Sequence, residues 1–417
     1  MKIKLGIFFG GKSVEHEISV ITMSQAISSI NPDKYDLVPI YVAKDGVMYW
    51  GEDLLDLESF RDMDVLLKRC YKVAVVNDGT GVKVLRVPAP IIGRKVIDTI
   101  DVAFPIVHGT NCEDGTMAGF LNTLNIPVVG PDILASSVGM DKIIMKKVCK
   151  ESGIPVVDYV AFYSMEYIKD DEAVLKRIAT DLRYPLIVKP GNCGSSVGIR
   201  KAKDEKELVD CIEYAMEFSD RVIVEEAVQN LKEINCSVIG NLAETEASVC
   251  EEPFFSDDIL TYQDKYMGGG NGKQGQKGKM QGAKGFGAKT AGSKGGPGMQ
   301  SSNKKLPADI PDNIRDQIQK LAQDTFKVLG CSGVARIDFL MDSKTEKVYV
   351  NEINTIPGAL SYYLWEASGK TFEQQLDQMI EIAMKREREK EKLTFSYDQN
   401  ILAMQPSGVK GAKNAKM

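Results

Sequence analysis

Residues 333–354 read Gly333-Val-Ala-Arg336-Ile-Asp338-Phe-Leu-Met-Asp-Ser-Lys-Thr-Glu-Lys-Val-Tyr-Val-Asn351-Glu352-Ile-Asn354. Two largely apolar runs, 333–341 and 347–353, flank a polar turn at 342–347, which is the pattern of a β-hairpin. Alternate residues of a strand share a face, so Arg336 and Asp338 project together, as do Glu352 and Asn354, and all four can converge. Two carboxylates and an amide oxygen suit Mg2+, which takes a few protein oxygens and completes its shell with phosphate and water. A solvated polar strand face is the neutral reading. Ile337, Phe339, Ile353 and Ile356 make the hairpin a packed one, and unpaired carboxylates would be unfavourable there, which favours a metal. Alone, the cluster indicates metal-assisted phosphoryl transfer and names no substrate.

Outward from the hairpin, residues 311–329 have helical spacing and are closed by Gly330, and 235–240 read as another strand. Between them, 268–305 is built almost wholly from Gly, Lys, Gln, Ala, Ser and Asn, with eight lysines and no acidic residue. Such a stretch cannot bury enough apolar surface to offset the entropy of ordering it and is expected to be a flexible loop. A last helix spans 372–393, with an apolar face at Phe372, Leu376, Met379, Ile380 and Ala383, before a tail over 397–417. Upstream, a charged helix from Asp141 leads to Gly153-Ile-Pro155, then strands at 156–162, 185–189 and 222–226 with a helix at 204–218. The opening run, 2–9, is a strand stopped by Gly10-Gly11 and followed by helical spacing over 14–30. Further strands at 35–42, 102–107 and 127–130 make the first 130 residues an open α/β layer. The expected units are therefore 1–130, 131–226 and 227–396.

At 417 residues the chain suits two or three domains. A net charge of -6 argues against whole-surface binding to nucleic acid or anionic lipid. The eight cysteines form no C-x-x-C pair and no zinc spacing, and read as reduced thiols in a cytoplasmic protein. No apolar run approaches the length of a membrane span, and the start shows no export signal.

Gly6-Ile-Phe-Phe-Gly-Gly11-Lys12-Ser13 matches the phosphate-loop pattern G-x-x-x-x-G-K-[ST] by letter. Its middle residues belong to the opening strand, so their N–H groups are not free to face phosphate, and a strand, glycine turn and helix is the preferred reading. The turn and Glu15 can still line a substrate site at the strand's C-terminal end. A better candidate is Leu186-Ile-Val-Lys189-Pro-Gly-Asn-Cys-Gly194-Ser195-Ser196-Val197-Gly198, where a lysine at a strand end precedes a flexible run of N–H groups. A hairpin turn with a chance lysine is its neutral alternative, at even odds. The two histidines, His16 and His108, both sit in motif-like loops. His108-Gly-Thr-Asn-Cys-Glu113-Asp114-Gly115 follows the strand at 102–107, at the edge where open α/β sheets bind ligands. A lone histidine is more often structural than catalytic.

Taken in order, these segments resemble the D-alanine:D-alanine ligases of the ATP-grasp superfamily. The likeness runs from the Gly10-Gly11 turn with Glu15-His16-Glu17-Ile18-Ser19 to Asn354-Thr-Ile-Pro-Gly358. It implies a three-domain α/β ATP-grasp ligase with an N-terminal open α/β domain, joining two D-alanines through an acyl-phosphate for peptidoglycan precursor synthesis. It also implies a cytoplasmic homodimer that takes small-molecule substrates, D-alanine and ATP, with no nucleic acid and no membrane. By resemblance, Lys142 and Lys189 would contact ATP phosphates under the loop 194–198 with Ser196, and Glu225, Val228 and Glu233 would hold adenine and ribose. Asp338, Glu352 and Asn354 would bind two Mg2+ ions, with Mn2+ as a substitute. Glu15 would pair with the ammonium of the first D-alanine, fixed by Ser195 and Tyr266. His108 would lie near that substrate's carboxylate, and Lys265 would reach the γ-phosphate. Arg336 and the N–H of Gly358 would form the oxyanion site.

The chain departs from the family pattern in three places. The stretch 268–305 begins just after Asp264-Lys265-Tyr266, where these ligases carry a mobile loop, and looks much longer than usual. Its lysines are either extra positive potential for ATP or an inert expansion of a tolerant loop. Cys112 stands where glycine is frequent, and with Cys193 in the facing loop it is a candidate for an inhibitory disulfide. The stretch Ala359-Leu-Ser-Tyr-Tyr363-Leu364, which should face the second substrate, is unusual. Tyr266 favours D-alanine there; D-serine, D-lactate or another ATP-grasp carboxylate-amine ligase are the alternatives. A non-enzymatic protein using 268–305 as a tether is disfavoured by the intact hairpin.

Overall fold

The computed structural model describes residues 2–194, 196–254, 304–397 and 400. Ser195, Lys265, Tyr266 and the Gly/Lys-rich stretch, its last two residues apart, lie outside the described residues.

The first sheet is formed by β1 (Ile3–Gly10), β2 (Tyr35–Val42), β3 (Met48–Trp50), β4 (Tyr71–Asn77), β5 (Val82–Arg86), β6 (Val96–Ile100) and β7 (Val102–Ile106), in the order β6-β5-β4-β3-β2-β1-β7. Only β2, β1 and β7 run parallel; the other pairs are antiparallel. This antiparallel extension, residues 48–100, has short strands separated by turns, and its half-exposed faces leave no continuous apolar run to read. The expected strand at 127–130 is a single parallel bridge, Ala103 to Val128. Helix α1 (His16–Ile27) starts two residues later than the apolar spacing suggests. The turn before it requires Gly11, whose φ is 98° and whose missing Cβ would fall 2.3 Å from Cys112 Sγ.

After α2 (Met63–Arg69) and α3 (Thr116–Thr123) come α4 (Ile133–Met140) and α5 (Lys142–Glu151). Asp141 caps α5, accepting N–H bonds from Ile143 and Ile144 at 3.0 Å. A second sheet, order β10-β9-β11-β8, contains β8 (Tyr159–Tyr163), β9 (Leu186–Pro190), β10 (Arg200–Ala202) and β11 (Arg221–Glu226). It packs with α6 (Ser164–Lys169), α7 (Asp171–Asp181) and α8 (Glu205–Met216) around Val188, Ile212 and Val224.

The third sheet, order β14-β13-β12-β15-β16, contains β12 (Leu231–Gly240), β13 (Thr245–Pro253), β14 (Lys304–Lys305), β15 (Gly333–Asp342) and β16 (Val348–Asn354). Lys304 and Lys305, expected to be loop, pair with Pro253 and Glu252. Helix α9 (Asp312–Val328) covers one face, and Met145, Cys149 and Ile154 from the α5 region join the same core. Helices α10 (Tyr362–Ala367) and α11 (Phe372–Lys390) follow. The apolar face of α11, including Phe372, Leu376, Met379 and Ile380, packs into the core of the first sheet. Arg386 on it donates to the carbonyls of Gly130 at 2.9 Å and Val128 at 2.5 Å, so the end of the chain ties the first sheet to the third. No helix among the described residues is long and apolar enough to cross a membrane.

The Gly11 turn yields a test. Gly11→Ala should destabilise the chain by about 1–3 kcal/mol through the added Cβ and its positive φ. Adding Cys112→Ala should recover part of the loss in thermal denaturation, because it removes the atom the Cβ meets.

Candidate active site

The strand registers place four polar residues in one row across the third sheet. Glu251 on β13 faces Asn235 on β12, Asn235 faces Asp338 on β15, and Asp338 faces Glu352 on β16. A second row runs Ser237, Arg336, Asn354. Residues in register point to the same face, so the hairpin residues converge as the alternation predicts. Arg336 Nε and one terminal nitrogen donate to the two Asp338 oxygens at 2.7 and 2.8 Å, and Asn354 Nδ2 donates to the second of them at 3.0 Å. Burial alone would lower the Arg336 pKa, but the Asp338 carboxylate beside it holds it well above the ordinary value. The register shifts by one residue between the Asp338–Glu352 and Phe339–Val350 pairs, a bulge that leaves Asn351 unpaired in the ladder. Asn351 turns to the second sheet, where its Oδ1 accepts from Lys189 Nζ at 3.0 Å.

Three lysines from the neighbouring elements pair with Glu352 and with Glu225 of β11. Lys142 Nζ lies 3.1 Å from Glu352 and donates to the Cys193 carbonyl at 2.8 Å. Burial lowers its pKa, but the Glu352 carboxylate outweighs this and the ammonium titrates above its usual value. Lys189 Nζ donates to Glu225 Oε2 at 2.7 Å. Lys146 Nζ, fully buried, lies 3.1 Å from the other Glu225 oxygen. The two lysines overcome the burial of Glu225 and hold its pKa below the carboxylate range. The expected metal carboxylates are thus paired with protein cations, Asp338 with Arg336 and Glu352 with Lys142, which corrects the argument that unpaired carboxylates there call for a metal. Among the described residues no three His, Cys, Asp or Glu side chains form a ready-made metal cage. The donor set, two carboxylates and the Asn354 amide, still suits Mg2+ delivered with phosphate oxygens, the usual mode for that ion.

The β1 turn, the loop after β7 and the loop after β9 meet at Glu15. A Cβ on Gly109 would come within 2.6 Å of Glu15 Oε2, and one on Gly194 within 3.0 Å, so only glycine lets both loops approach this buried carboxylate. His108 is buried and shares a hydrogen bond with Thr22 Oγ1 at 2.9 Å, and the N–H of Ala359 donates to the same hydroxyl at 3.3 Å. His108 and the turn at Gly358 are therefore linked through Thr22. Burial pushes the His108 pKa down despite the pull of Glu15, leaving the ring neutral. Glu113 accepts from the N–H groups of Gly109 at 3.2 Å and Ile356 at 3.0 Å.

Ser196 sits at φ 58° in the turn that closes with Val197 N–H on the Gly194 carbonyl at 3.1 Å. Val228 lies between β11 and β12, and Glu233 faces Leu340 across the ladder. His16 is structural: its ring nitrogens contact the Gly11 carbonyl at 2.7 Å and the Tyr41 hydroxyl at 2.9 Å. Cys112 Sγ lies 3.9 Å from the Gly10 carbonyl and Cys193 Sγ 3.5 Å from that of Phe218, and both are free thiols. The sequence reading missed Lys146, Asn351, Thr22, Asn235 and Glu251. For Lys146 a signal existed: it is one helical turn after Lys142 on the same face. Glu251 accepts from Tyr363 Oη at 2.8 Å and Asn235 Nδ2 at 3.1 Å and pairs with Lys304 at 3.2 Å, so the unusual stretch at 359–364 has a partner network.

Glu113 supplies a pH test. Burial, then the nearby Glu15 charge, push its pKa up from 4.5 to about 7. The folded chain then holds a proton that the unfolded chain has released, so stability falls as pH rises from 4.5 to 7 and is level above. Glu113→Gln should flatten this part of the urea-denaturation profile by about 3 kcal/mol. An unchanged slope would refute the assignment.

The family model for the D-alanine–D-alanine ligase N-terminus matches residues 4–131, and the C-terminus model matches 148–282 and 296–381. The break, 283–295, falls inside the Gly/Lys-rich stretch. A D-alanine–D-alanine ligase of Thermosipho melanesiensis is 40% identical over 401 residues, covering 96% of this chain and 98% of the relative. The ligase of that name from Caldicellulosiruptor bescii is 34% identical, covering 95% and 99%. Among solved structures, the D-alanine–D-alanine ligase of Coxiella burnetii superposes with a TM-score of 0.74 at 29% identity, covering 94% of this chain and 96% of that one. The VanG D-Ala:D-Ser ligase of Enterococcus faecalis gives 0.72 at 32%, covering 92% and 100%. Matched along nearly its whole length by both family models and by relatives of 40% identity, the chain belongs to the D-alanine–D-alanine ligase family.

Proposed function

We propose that the chain ligates two D-alanines at the expense of ATP through an acyl-phosphate, supplying the dipeptide for peptidoglycan precursors in the cytoplasm. The observation that carries this reading is the convergence of Arg336, Asp338, Glu352 and Asn354 with Lys142 and Lys189 in a chain 40% identical to a D-alanine–D-alanine ligase over nearly its full length.

Lys142 and Lys189 are proposed to take the triphosphate beneath Ser196 and its loop, with Glu225, Val228 and Glu233 around adenine and ribose. Asp338, Glu352 and Asn354 would hold two Mg2+ ions, which supply charge neutralisation of the phosphates when bound. Glu15 is proposed to anchor the ammonium of the first D-alanine, with Ser195 and Tyr266 as its supports, and neutral His108 is proposed to lie near the carboxylate of that substrate. The first carboxylate attacks the γ-phosphorus, ADP leaves, and an acyl-phosphate forms. The amine of the second D-alanine, having lost its proton, attacks the carbonyl carbon. Arg336, held in its fork with Asp338, and the N–H of Gly358 are proposed to receive the charge on the carbonyl oxygen before phosphate leaves. Water must be kept out, since it would hydrolyse the acyl-phosphate, and Lys265 with its loop is proposed to serve that end. The family resemblance supports a homodimer.

The VanG likeness makes the acceptor the point to test. With ATP and Mg2+, phosphate release should require D-alanine, stop when the metal is chelated, and return with Mn2+. D-Serine or D-lactate added beside D-alanine should leave D-alanyl-D-alanine the main product. Release without any amino acid, or none with D-alanine, would sink the reading. Arg336→Met should cut kcat by roughly two to three orders of magnitude, the scale of losing one oxyanion donor, with smaller changes in KM for ATP.

A further inference from the structure

Lys146 has no part in the reading above, yet among the described residues it is the only lysine with a fully buried side chain. Relative exposure is zero, so it cannot touch ATP directly. Its sole charged neighbour at ion-pair distance among the described residues is Glu225, whose two oxygens are divided between two cations: Oε1 at 3.1 Å from Lys146 and Oε2 at 2.7 Å from Lys189. The Lys146 contact is an ion pair by distance without the alignment of a hydrogen bond, whereas the Lys189 contact is a well-formed one.

This creates a conflict for Lys189. As the structure stands its ammonium is shared between Glu225 and Asn351 at 2.7 and 3.0 Å. To reach a phosphate it must loosen its hold on Glu225. A carboxylate as buried as Glu225, left without a cation, would be strongly unfavourable. Were Lys189 its only partner, that cost would oppose nucleotide binding. Lys146 reaches Glu225 from the other side, from helix α5, one turn beyond Lys142.

We propose that Lys146 is a positioning residue, the fixed counter-ion of Glu225, whose presence lets Lys189 exchange that carboxylate for the triphosphate of ATP. The inference rests on the assignment of Lys189 to phosphate. Lys146 stays in place through the exchange because it has no solvent to move into, while Lys189, slightly exposed, already shares its ammonium between Glu225 and Asn351 of the neighbouring sheet. Burial, and then the neighbouring Lys189 charge, push the Lys146 pKa down, while Glu225 and, more weakly, Glu352 pull it up.

The test is ATP affinity of the full chain, by calorimetry without amino acid, for Lys146→Met, Glu225→Gln, the double variant and Lys189→Met. Lys146→Met, which keeps the volume and removes the charge, should weaken ATP roughly tenfold or more. Its KM for D-alanine should stay near that of the parent chain. In the Glu225→Gln background the same substitution should cost no further affinity, since the carboxylate that retains Lys189 is gone. A purely structural Lys146 would lower the melting temperature and leave the ATP constant of the folded protein untouched, which would overturn the proposal. So would an equal loss with and without Glu225. If Lys146→Met does not fold, the comparison of Glu225→Gln with the double variant decides: equal ATP affinity supports the proposal, and a further loss overturns it. Full ATP affinity in Lys189→Met would instead overturn the assignment of Lys189 to phosphate, and this inference with it.

Discussion

The fork from Arg336 to Asp338 is the contact around which the site is organised. A carboxylate offers about four lone-pair directions, and three of those on Asp338 are taken, two by the guanidinium and one by Asn354. Neither side chain can rotate without leaving a partly buried charge unpaired, so β15 and β16 present a rigid polar floor. Rigidity matters here because a donor aimed at a developing oxyanion is worth most when it needs no reorganisation. It also limits what Asp338 can offer a metal, so an ion there has to bring most of its ligands with it, as a phosphate-borne Mg2+ does.

The same requirement, that no buried charge stand alone, explains the rest of the pairing. Glu352 is matched with Lys142, Glu225 with Lys146 and Lys189, and Glu251 with Lys304. Under the proposed function, nucleotide phosphates and magnesium would arrive as a further set of charges competing for the same partners, and the cost of binding would depend on which partners remain behind. Lys146, which faces Glu225 alone at ion-pair distance among the described residues, and Lys189, which is shared with Asn351, are not equivalent, although both are lysines facing one carboxylate.

Much of this was legible in the sequence. The hairpin at 333–354 could be placed because both strands are largely apolar runs and the turn is polar, and the alternation rule then put Arg336, Asp338, Glu352 and Asn354 on one face. The strands β1 and β7 at the parallel centre of the first sheet were equally plain, since from Leu5 onward both faces are buried and every residue is apolar or small. The short antiparallel strands at 48–100 were not, because half-buried strands of three to seven residues resemble ordinary loop sequence. Asn351 was beyond reach for a different reason. Its role comes from a bulge, and a one-residue slip in register leaves no mark in composition. Asn235 and Glu251 enter the site only through pairing between strands, which no spacing along the chain reveals.

The stretch after Pro357 shows how such long-range constraints are met. Ala359, Leu360 and Ser361 all have φ near +50°, a conformation that costs roughly 1–3 kcal/mol per non-glycine residue and that three glycines would adopt freely. Glycine cannot serve, because the Leu360 side chain is buried in the core of the first sheet and anchors the turn there. Gln375 holds the Leu360 carbonyl at 2.7 Å, Thr22 holds the Ala359 N–H, and Trp365 Nε1 donates to Ser237 at 3.0 Å. The strain is thus offset by contacts to both sheets, and its product is a fixed distance between Gly358, beside the hairpin, and His108, beside Glu15. Two substrates that must meet at one carbonyl carbon need their binding elements on different sheets held in a single frame, and a strained turn pinned from both sides supplies one where a flexible linker would not.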